Sequence, residues 1–258
     1  MFKNLGVQLY TARDLMRDPE YADLTFKKLA EMGYSEAHTA GCAFDETTFV
    51  ELLKKHGISI IGTHHSWGKI LDDIEGTIAL HKLWGTTNIG IGGMPKEPRT
   101  DLEALKKFIA DFNRVAEIYA KEGFRLTYHH HNFEFIRIDG NKTIMDLLFE
   151  ELDPKNTSFV LDTCWLTAGG VDVCEWLEKC RGRLDILHLK DMYLKKEDKY
   201  FAPAITEVGN GGLAWDRIMK TAEEVGVKHY VVEQDNNFKS SPIESLKESA
   251  DFLAKYRY

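Results

Sequence analysis

The 258-residue chain has 33 Lys and Arg residues against 41 Asp and Glu residues, which gives a formal net charge of −8. This balance disfavours a protein that neutralises the phosphates of a nucleic acid. A hydrophobic fraction of 43% and only six prolines exclude a disordered or collagen-like chain. No apolar run approaches the roughly 20 residues that cross a bilayer, so we expect a cytoplasmic protein without a membrane partner.

Short apolar runs recur along the chain, and each is followed by a segment with helical spacing. This alternation is typical of a parallel sheet whose consecutive strands are connected by helices. In chain order, the predicted strands are Leu5–Tyr10, Ser35–Thr39, Ile58–Thr63, Asn88–Ile91, Arg125–His129, Ser158–Asp162, Asp185–Leu189 and Tyr230–Glu233.

Amphipathic segments predict the helices between these strands. The first two helices should end at Gly33 and Gly57, because glycine favours the left-handed cap, and another helix is expected to begin near Ile70. The predicted helices with bounds are Asp23–Glu31, Asp45–Lys55, Leu102–Lys121, Ile144–Leu152, Val173–Lys179, Leu213–Glu224 and Ile243–Lys255.

Eight strand-helix units in about 250 residues predict an α/β fold of the (β/α)8 TIM barrel type. No linker or change of composition divides the chain, so residues 1–258 are expected to form a single domain. An open dinucleotide-binding sheet is disfavoured because the first turn, Tyr10-Thr11-Ala12-Arg13, has no glycine-rich phosphate motif.

Histidines gather at or just past the predicted strand ends. In a TIM barrel the carboxyl ends of the strands meet at one rim, where the functional groups of this fold are found. Seven of the ten histidines are placed there: His38, His64, His65, His129, His130, His131 and His188.

Two carboxylates also end buried strands. Asp162 closes the sixth predicted strand and Glu233 closes the eighth, and each is costly to bury unless it is paired or bound to a metal. With His188, and with His129 or His131, they predict one divalent metal site. Mixed imidazole and carboxylate ligands without a thiolate suit Mn²⁺, Co²⁺, Fe²⁺ or Zn²⁺ rather than a structural zinc.

The remaining histidines are assigned by position. Alternation along the strand directs His129 and His131 into the barrel and His130 toward the helices. His64 is expected to bind substrate. His65 either does the same or caps the next helix.

Lys190 and Glu134 are further candidates for contact with the substrate. Lys190 shares the face of His188 and could hold a substrate oxygen, the alternative being a salt bridge to Asp191 or Glu207. Glu134 lies in the loop after the fifth strand, from which it could act as an acid, a base or a ligand, or remain solvated. Three tryptophans near strand ends either line a sugar site or contribute to packing: Trp67, Trp165 and Trp215.

Six groups of residues carry a resemblance to a known family. They are Leu5-Gly6-Val7-Gln8-Leu9-Tyr10, Tyr128-His129-His130-His131-Asn132-Phe133-Glu134-Phe135, Leu161-Asp162-Thr163, Gly182-Arg183 with His188-Leu189-Lys190-Asp191, Val208-Gly209-Asn210-Gly211, and Val232-Glu233-Gln234-Asp235. With these residues the chain resembles, over most of its length, the sugar phosphate isomerase/epimerase family of xylose isomerase-like TIM barrels.

The resemblance implies one divalent metal, with Mn expected first and Co, Fe, Zn or Mg as alternatives. The family's Glu, Asp, His and Glu ligands on the fifth to eighth strands map onto Asp162, His188 and Glu233, with His129 in the first position. His38 also stands where many relatives have a glutamate. The Tyr-His-x-His pattern on the fifth strand is similar to a branch that includes inosose dehydratases and lyases or hydratases of 3-keto-glycosides.

These observations predict an isomerase or epimerase that converts a keto-sugar or polyol ketone through a metal-stabilised enediolate. Its alternative is a carbon–oxygen lyase or hydratase at the same site. His131 or Glu134 is the expected acid/base, Glu233 is the second candidate, and Lys190 would carry oxyanion charge. His64, His38 and Trp165 are the expected substrate-binding residues.

Two other classes are less favoured. An apurinic endonuclease would need a basic DNA face, which the net charge of −8 argues against. A sugar-binding barrel without turnover would be expected to lose one of its costly buried ligands. The expected partner is a small sugar, with no phosphate-binding arginine cluster in the sequence, and a homo-oligomer is compatible with a barrel of this size.

Overall fold

Eight parallel strands form one sheet in the computed structural model. The structure describes residues 2–196, 198 and 200–258, except for the side chain of Phe201. Around the sheet the strands are hydrogen-bonded in the order β3-β2-β1-β8-β7-β6-β5-β4. This order follows the chain around a barrel and confirms the predicted TIM barrel. The strands are β1 Leu5–Gln8, β2 Tyr34–Thr39, β3 Ser59–Thr63, β4 Asn88–Ile91, β5 Arg125–His129, β6 Thr157–Asp162, β7 Leu184–Leu189 and β8 His229–Val232.

The barrel nearly closes between β3 and β4. The His65 backbone N–H donates to the carbonyl oxygen of Gly90 at 2.8 Å, and the side-chain amide of Asn88 donates to the carbonyl oxygen of Ile61 at 2.9 Å. A Cβ atom at Gly90 would lie only 2.1 Å from the carbonyl oxygen of Thr63. Glycine at this position therefore permits the close approach of the two strands.

Helices cover the outside of the sheet. The longest, α5, buries one continuous apolar face, as its 3–4 spacing predicts. Gly33 and Gly57 have φ angles of +89° and +72°, so the predicted left-handed ends of the first two helices are confirmed. The helices are α1 Pro19–Glu31, α2 Glu46–Lys55, α3 Trp67–Asp72, α4 Ile74–Trp84, α5 Leu102–Lys121, α6 Ile144–Glu151, α7 Thr163–Ala168, α8 Val173–Lys179, α9 Trp215–Val225 and α10 Pro242–Leu253.

Several elements are additional to the predicted ones, and the longest of them lie next to the barrel strands or helices. Helix α4 begins after a single residue beyond α3, and α7 begins directly after β6. Because no turn-forming segment separates either helix from the preceding element, the sequence pattern did not predict them. An antiparallel hairpin of Asp191–Lys196 with Phe201–Thr206 follows β7. Strand β1 also ends two residues earlier than predicted, because the chain turns into a 3-10 helix at Leu9–Leu15.

The apolar core has two layers. The larger layer lies between the sheet and the helices, and the smaller one fills the barrel interior with Ile61, Val160, Ile186 and Val231. Among the described residues, no helix is both long enough and apolar enough to cross a membrane.

Candidate metal centre

Three strands of the barrel carry a polar side chain that is directed inward at or next to their carboxyl ends. Each polar residue comes two positions after an apolar residue of the inner layer and therefore shares its face. The pairs are Val160 with Asp162, Ile186 with His188, and Val231 with Glu233. Their position above a filled barrel interior keeps these polar side chains at most 5% exposed.

These three side chains meet His129 from β5. One ligand atom from each of His129, Asp162, His188 and Glu233 lies within 4.8 Å of the others, and all four residues are buried. The Nδ1 atom of His188 is 2.8 Å from Oε2 of Glu233 and 4.0 Å from Oδ2 of Asp162. We call these four residues the metal-ligand cluster.

The ring of His129 is oriented by its own neighbour strand. Its Nδ1 atom lies 3.3 Å from the carbonyl oxygen of Val160, a distance at which an N–H at this position donates to the carbonyl. That tautomer leaves the lone pair of Nε2 for a metal ion.

Lys190 places a cation directly beside the cluster. Its Nζ atom lies 3.0 Å from Asp162 Oδ2, 2.9 Å from Glu233 Oε2 and 2.9 Å from Asp235 Oδ2. The lysine is 1% exposed. Burial opposes its charge, but the three carboxylates outweigh this effect and raise the pKa of Lys190 well above its usual value. The alternative prediction, a salt bridge from Lys190 to Asp191 or Glu207, is wrong. Asp191 instead accepts hydrogen bonds from the backbone N–H groups of Gly209 and Gly211 and from the indole N–H of Trp215.

The two carboxylates of the cluster differ in their affinity for protons. Burial raises the pKa of Asp162 to about 6. Burial also opposes the ionisation of Glu233, but Lys190 and His188 outweigh it and hold the pKa of Glu233 well below its usual range. A divalent ion among these ligands would favour the ionised form of Asp162.

The cluster fits a divalent metal ion in its residue types and in its electrostatics. Oδ2 of Asp162 is buried, and although it lies 3.0 Å from Nζ of Lys190, it accepts no hydrogen bond of good geometry among the described residues. Two imidazoles and two carboxylates match the ligands of Mn²⁺, Co²⁺, Fe²⁺ and Zn²⁺, and Mg²⁺ favours their oxygens. A metal here would offset the charge of carboxylates that are otherwise costly to bury.

A cavity of about 540 Å³ opens above the cluster. Its wall includes four of the predicted site residues outside the cluster, which are His64, His131, Trp165 and Lys190. The ring of His131 lies on Phe133, with centroids 5.4 Å apart, and its Nδ1 atom has no hydrogen-bond partner within the described chain. Burial and the nearby Lys190 ammonium lower the pKa of His131 to about 4, so its imidazole is neutral at pH 7.

Two predicted site residues lie away from the cavity wall. His38 is fully buried beneath the cavity, with its ring against His188 rather than at the cavity surface. Glu134 accepts hydrogen bonds from the Tyr128 hydroxyl at 2.7 Å and from the His131 backbone N–H at 2.8 Å. Both of its oxygens are therefore occupied behind β5, and burial raises the pKa of Glu134 to about 7.

The structure also gives the positions of His65, His130 and Trp67, about which the sequence made predictions. His65 lines the cavity and does not cap α3, because the side chain of Ser66 does so. His130 faces away from the barrel interior, as expected, and its Nε2 accepts a hydrogen bond from the Asp162 backbone. Trp67 packs on Phe108 in the helical layer.

Sequence reasoning missed Asp235. This carboxylate lines the cavity and forms the third ion pair of Lys190. The sequence did contain a signal for Asp235, because this residue follows Glu233 by two positions and alternation along a strand would place both side chains on the same face. The end of the strand, at Val232, made the continuation of this alternation uncertain.

With the barrel and the cluster defined, the sequence can be compared with known proteins. The chain matches the family described as xylose isomerase-like TIM barrel over residues 26–256. The protein belongs to this family, which confirms the resemblance inferred from the sequence.

Particular relatives add detail. The inosose dehydratase of Geobacillus thermodenitrificans (strain NG80-2) is 29% identical over 154 residues, which are 54% of this chain and 51% of that relative. The chain thus spans about half the length of the first curated relatives that it matches.

Solved structures reproduce the fold over almost the whole chain. A sugar phosphate isomerase/epimerase from Parabacteroides distasonis ATCC 8503 has a TM-score of 0.82 at 22% identity, with 98% of this chain and 96% of that chain covered. A xylose isomerase-like TIM barrel protein from Mycobacterium smegmatis, in complex with magnesium, has a TM-score of 0.71 at 13% identity, with 99% and 98% covered. At these identities the likeness shows the fold.

Proposed function

We propose that the protein is a divalent-metal-dependent enzyme that removes a proton next to the carbonyl of a small, uncharged keto-sugar or cyclic polyol ketone. The observation that carries this proposal is the metal-ligand cluster, whose four ligand atoms lie within 4.8 Å of one another beneath an open cavity. A bound divalent ion would act as a Lewis acid that polarises the carbonyl and acidifies the neighbouring C–H.

The protein side chains orient the substrate around this centre. Lys190 lies in the cavity wall, and its positive charge would stabilise a substrate oxygen on which negative charge develops. His64 and Trp165 supply the cavity wall against which a polyol ring can pack and hydrogen-bond.

His131 is the proposed acid/base. It lines the cavity as a neutral imidazole, which is the form that accepts a proton. Glu134 is not given this role here, because both of its oxygens are hydrogen-bonded behind β5. Glu233 is the second candidate for the base.

An uncharged substrate follows from the charges of the cavity wall. Lys190 is already paired with Asp162, Glu233 and Asp235. Arg13, beside this cavity, donates to the carbonyl oxygens of Tyr10 and Asp235. No cation in the described wall is therefore left to bind a phosphate group.

Dehydration is the first candidate for the overall reaction. After the base takes the α-proton, the C–O bond at the β-carbon breaks, the leaving hydroxyl group takes up that proton from the same acid/base and departs as water, and a C=C bond forms between the two carbons. The similarity to inosose dehydratases supports this outcome. His129 supports it too, since the resemblance places it where isomerases and epimerases carry a glutamate that is both a metal ligand and an acid/base.

Isomerisation or epimerisation is the second candidate. It needs the same proton removal, followed by return of a proton to a neighbouring carbon or to the opposite face. The whole-length structural similarity to a protein named sugar phosphate isomerase/epimerase favours this candidate.

The test uses the Mn²⁺-loaded protein in D2O with two probes, an inosose and D-allulose. We expect metal-dependent deuterium incorporation next to a carbonyl, with an unsaturated product from the inosose if dehydration is the reaction. Asp162→Ala should abolish the exchange, whereas Asp139→Ala, at an exposed position of the short strand Arg137–Asp139, should leave it unchanged. Absence of exchange with every ketone tested in the metal-loaded protein would contradict the proposal.

A further inference from the structure

His38 contacts the metal-ligand cluster from below without belonging to it. Its Nδ1 atom lies 2.8 Å from Nε2 of His188, and its side chain is completely buried. The two rings are almost perpendicular, with an interplanar angle of 74°. At this distance one of the two ring nitrogens donates a hydrogen bond to the other.

The two nitrogens of His188 face different partners. Nδ1 faces the cluster, 2.8 Å from Glu233 Oε2, and Nε2 faces His38. If Nδ1 is to bind a metal through its lone pair, Nε2 must carry the proton of the neutral ring. A buried N–H without an acceptor is costly, and Nδ1 of His38 is the acceptor that the structure provides.

A role for His38 as a metal ligand fits less well. His38, His64 and His188 do form a second group whose nitrogens lie within 4.8 Å of one another. Nδ1 of His188 faces the metal-ligand cluster, however, so only Nε2 of that ring, 2.8 Å from Nδ1 of His38, is left for this second group. The observed 2.8 Å is a hydrogen-bond distance.

The ring of His38 has little freedom to turn. A Cβ atom at Gly62 would lie 3.1 Å from Cδ2 and Nε2 of His38, so the absence of a side chain there makes room for the ring. The ring of His64 packs against its other side, with centroids 4.3 Å apart. The ring of His38 is thus held in place before a metal binds, which is what a positioning residue requires.

We infer that His38 is a positioning residue, which accepts the Nε2 proton of His188 and thereby presents the Nδ1 lone pair of His188 to the metal. This inference rests on the proposed function, because it requires a metal in the metal-ligand cluster. It gives His38 a role through His188 instead of a contact with substrate.

Two variants that are isosteric with each other distinguish the effect of losing the hydrogen bond from the effect of reducing the side-chain volume. In His38→Asn the amide oxygen can replace Nδ1 as the acceptor. In His38→Leu the side chain has the same shape as asparagine but offers no acceptor. Loss of the orienting partner of a metal-bound histidine typically weakens metal affinity by about 10- to 100-fold. We therefore expect His38→Leu to show this loss and His38→Asn to remain within about threefold of the unmodified protein.

The experiment measures Co²⁺ affinity by competition with a chelator, together with the visible spectrum of the bound Co²⁺ and the urea-unfolding midpoint. A changed Co²⁺ spectrum in folded His38→Leu, restored in His38→Asn, would support the inference. Equal affinities in all three proteins, equal losses in both variants, or a second Co²⁺ that disappears with His38 would overturn it. If the unmodified protein binds no Co²⁺, the proposed function itself fails, and the inference fails with it.

Discussion

The Nζ atom of Lys190 lies 3.0 Å from Oδ2 of Asp162, one of the four residues that form the metal-ligand cluster. In the absence of a metal, the lysine is the cation that offsets this buried carboxylate. With a metal present, two positive centres share the same carboxylates and repel each other. Lys190 and a divalent ion can therefore partly replace each other in offsetting the negative charge of these carboxylates.

Lys190→Met should destabilise the metal-free protein more than the metal-loaded protein. Removal of one partner from a buried ion pair costs about 3 to 5 kcal/mol, and a bound divalent ion would supply the missing charge. Thermal unfolding in EDTA and in Mn²⁺ measures both states. Metal affinity should also rise in this variant, while deuterium exchange falls.

Lys82→Met is the matched control for this comparison, because Lys82 pairs with Glu122 at the surface with more than half of its side chain exposed. We expect a change within about 0.5 kcal/mol in either state. Lower metal affinity in Lys190→Met, or unchanged stability of its metal-free form, would be inconsistent with competition between the two cations.

His131 and Glu134 can be separated by a pair of variants. His131→Ala should retain the metal and lower the rate of α-proton exchange by about 10²- to 10⁴-fold, the usual contribution of an acid/base group. Glu134→Gln preserves an acceptor for the Tyr128 hydroxyl and should retain most of the exchange. If exchange survives in His131→Ala and disappears in Glu134→Gln, the assignment is reversed.

The substrate should carry no phosphate. In competition with α-proton exchange, a ketose should bind the Mn²⁺-loaded protein more tightly than its phosphate monoester does. The physical reason is that Lys190, the lysine of the cavity wall, is already paired with three carboxylates. Tighter binding of the phosphate monoester would show that a cation outside the described wall, or a displaced Lys190, recognises it.

Buried histidines outside the cluster should make the fold sensitive to acid. Burial lowers the pKa of His81 to about 4, whereas an unfolded histidine titrates near 6.5. Between these values the unfolded chain binds more protons, so the free energy of unfolding falls as the pH falls from about 6.5 to 4. His81 alone should account for a loss of about 2 kcal/mol at pH 5.

Urea unfolding at pH 7 and pH 5 measures this effect. His81→Gln should show a smaller difference between the two pH values, by about 2 kcal/mol, because glutamine does not titrate. An equally large difference in the variant would assign the acid sensitivity to other groups. His65 and His130, whose pKa values burial lowers to about 3, should still contribute in the same direction.

Much of the fold was predictable because its signals are local. Strand β4 and helices α5 and α8 have the bounds that apolar spacing predicts. The convergence of Asp162, His188 and Glu233 was also predictable, since alternation along a strand fixes which side chains face the barrel interior.

Features that depend on contacts between distant residues were not predictable. The His38 and His188 pair joins β2 to β7 across the barrel, and no spacing in the sequence encodes a 2.8 Å contact between them. Glu134 illustrates the same limit. Its position in a loop indicated access to the site, but Tyr128 points away from the barrel interior and binds its carboxylate there.

Metal content is the most direct test of the central claim that His129, Asp162, His188 and Glu233 bind one divalent ion. Elemental analysis should compare the purified protein with Asp162→Ala and His188→Ala after identical exposure to Mn²⁺ and desalting. The account predicts about one metal per chain in the unmodified protein and its loss in both variants, with all three proteins folded. No bound metal in the unmodified protein, or equal metal in all three, would contradict it.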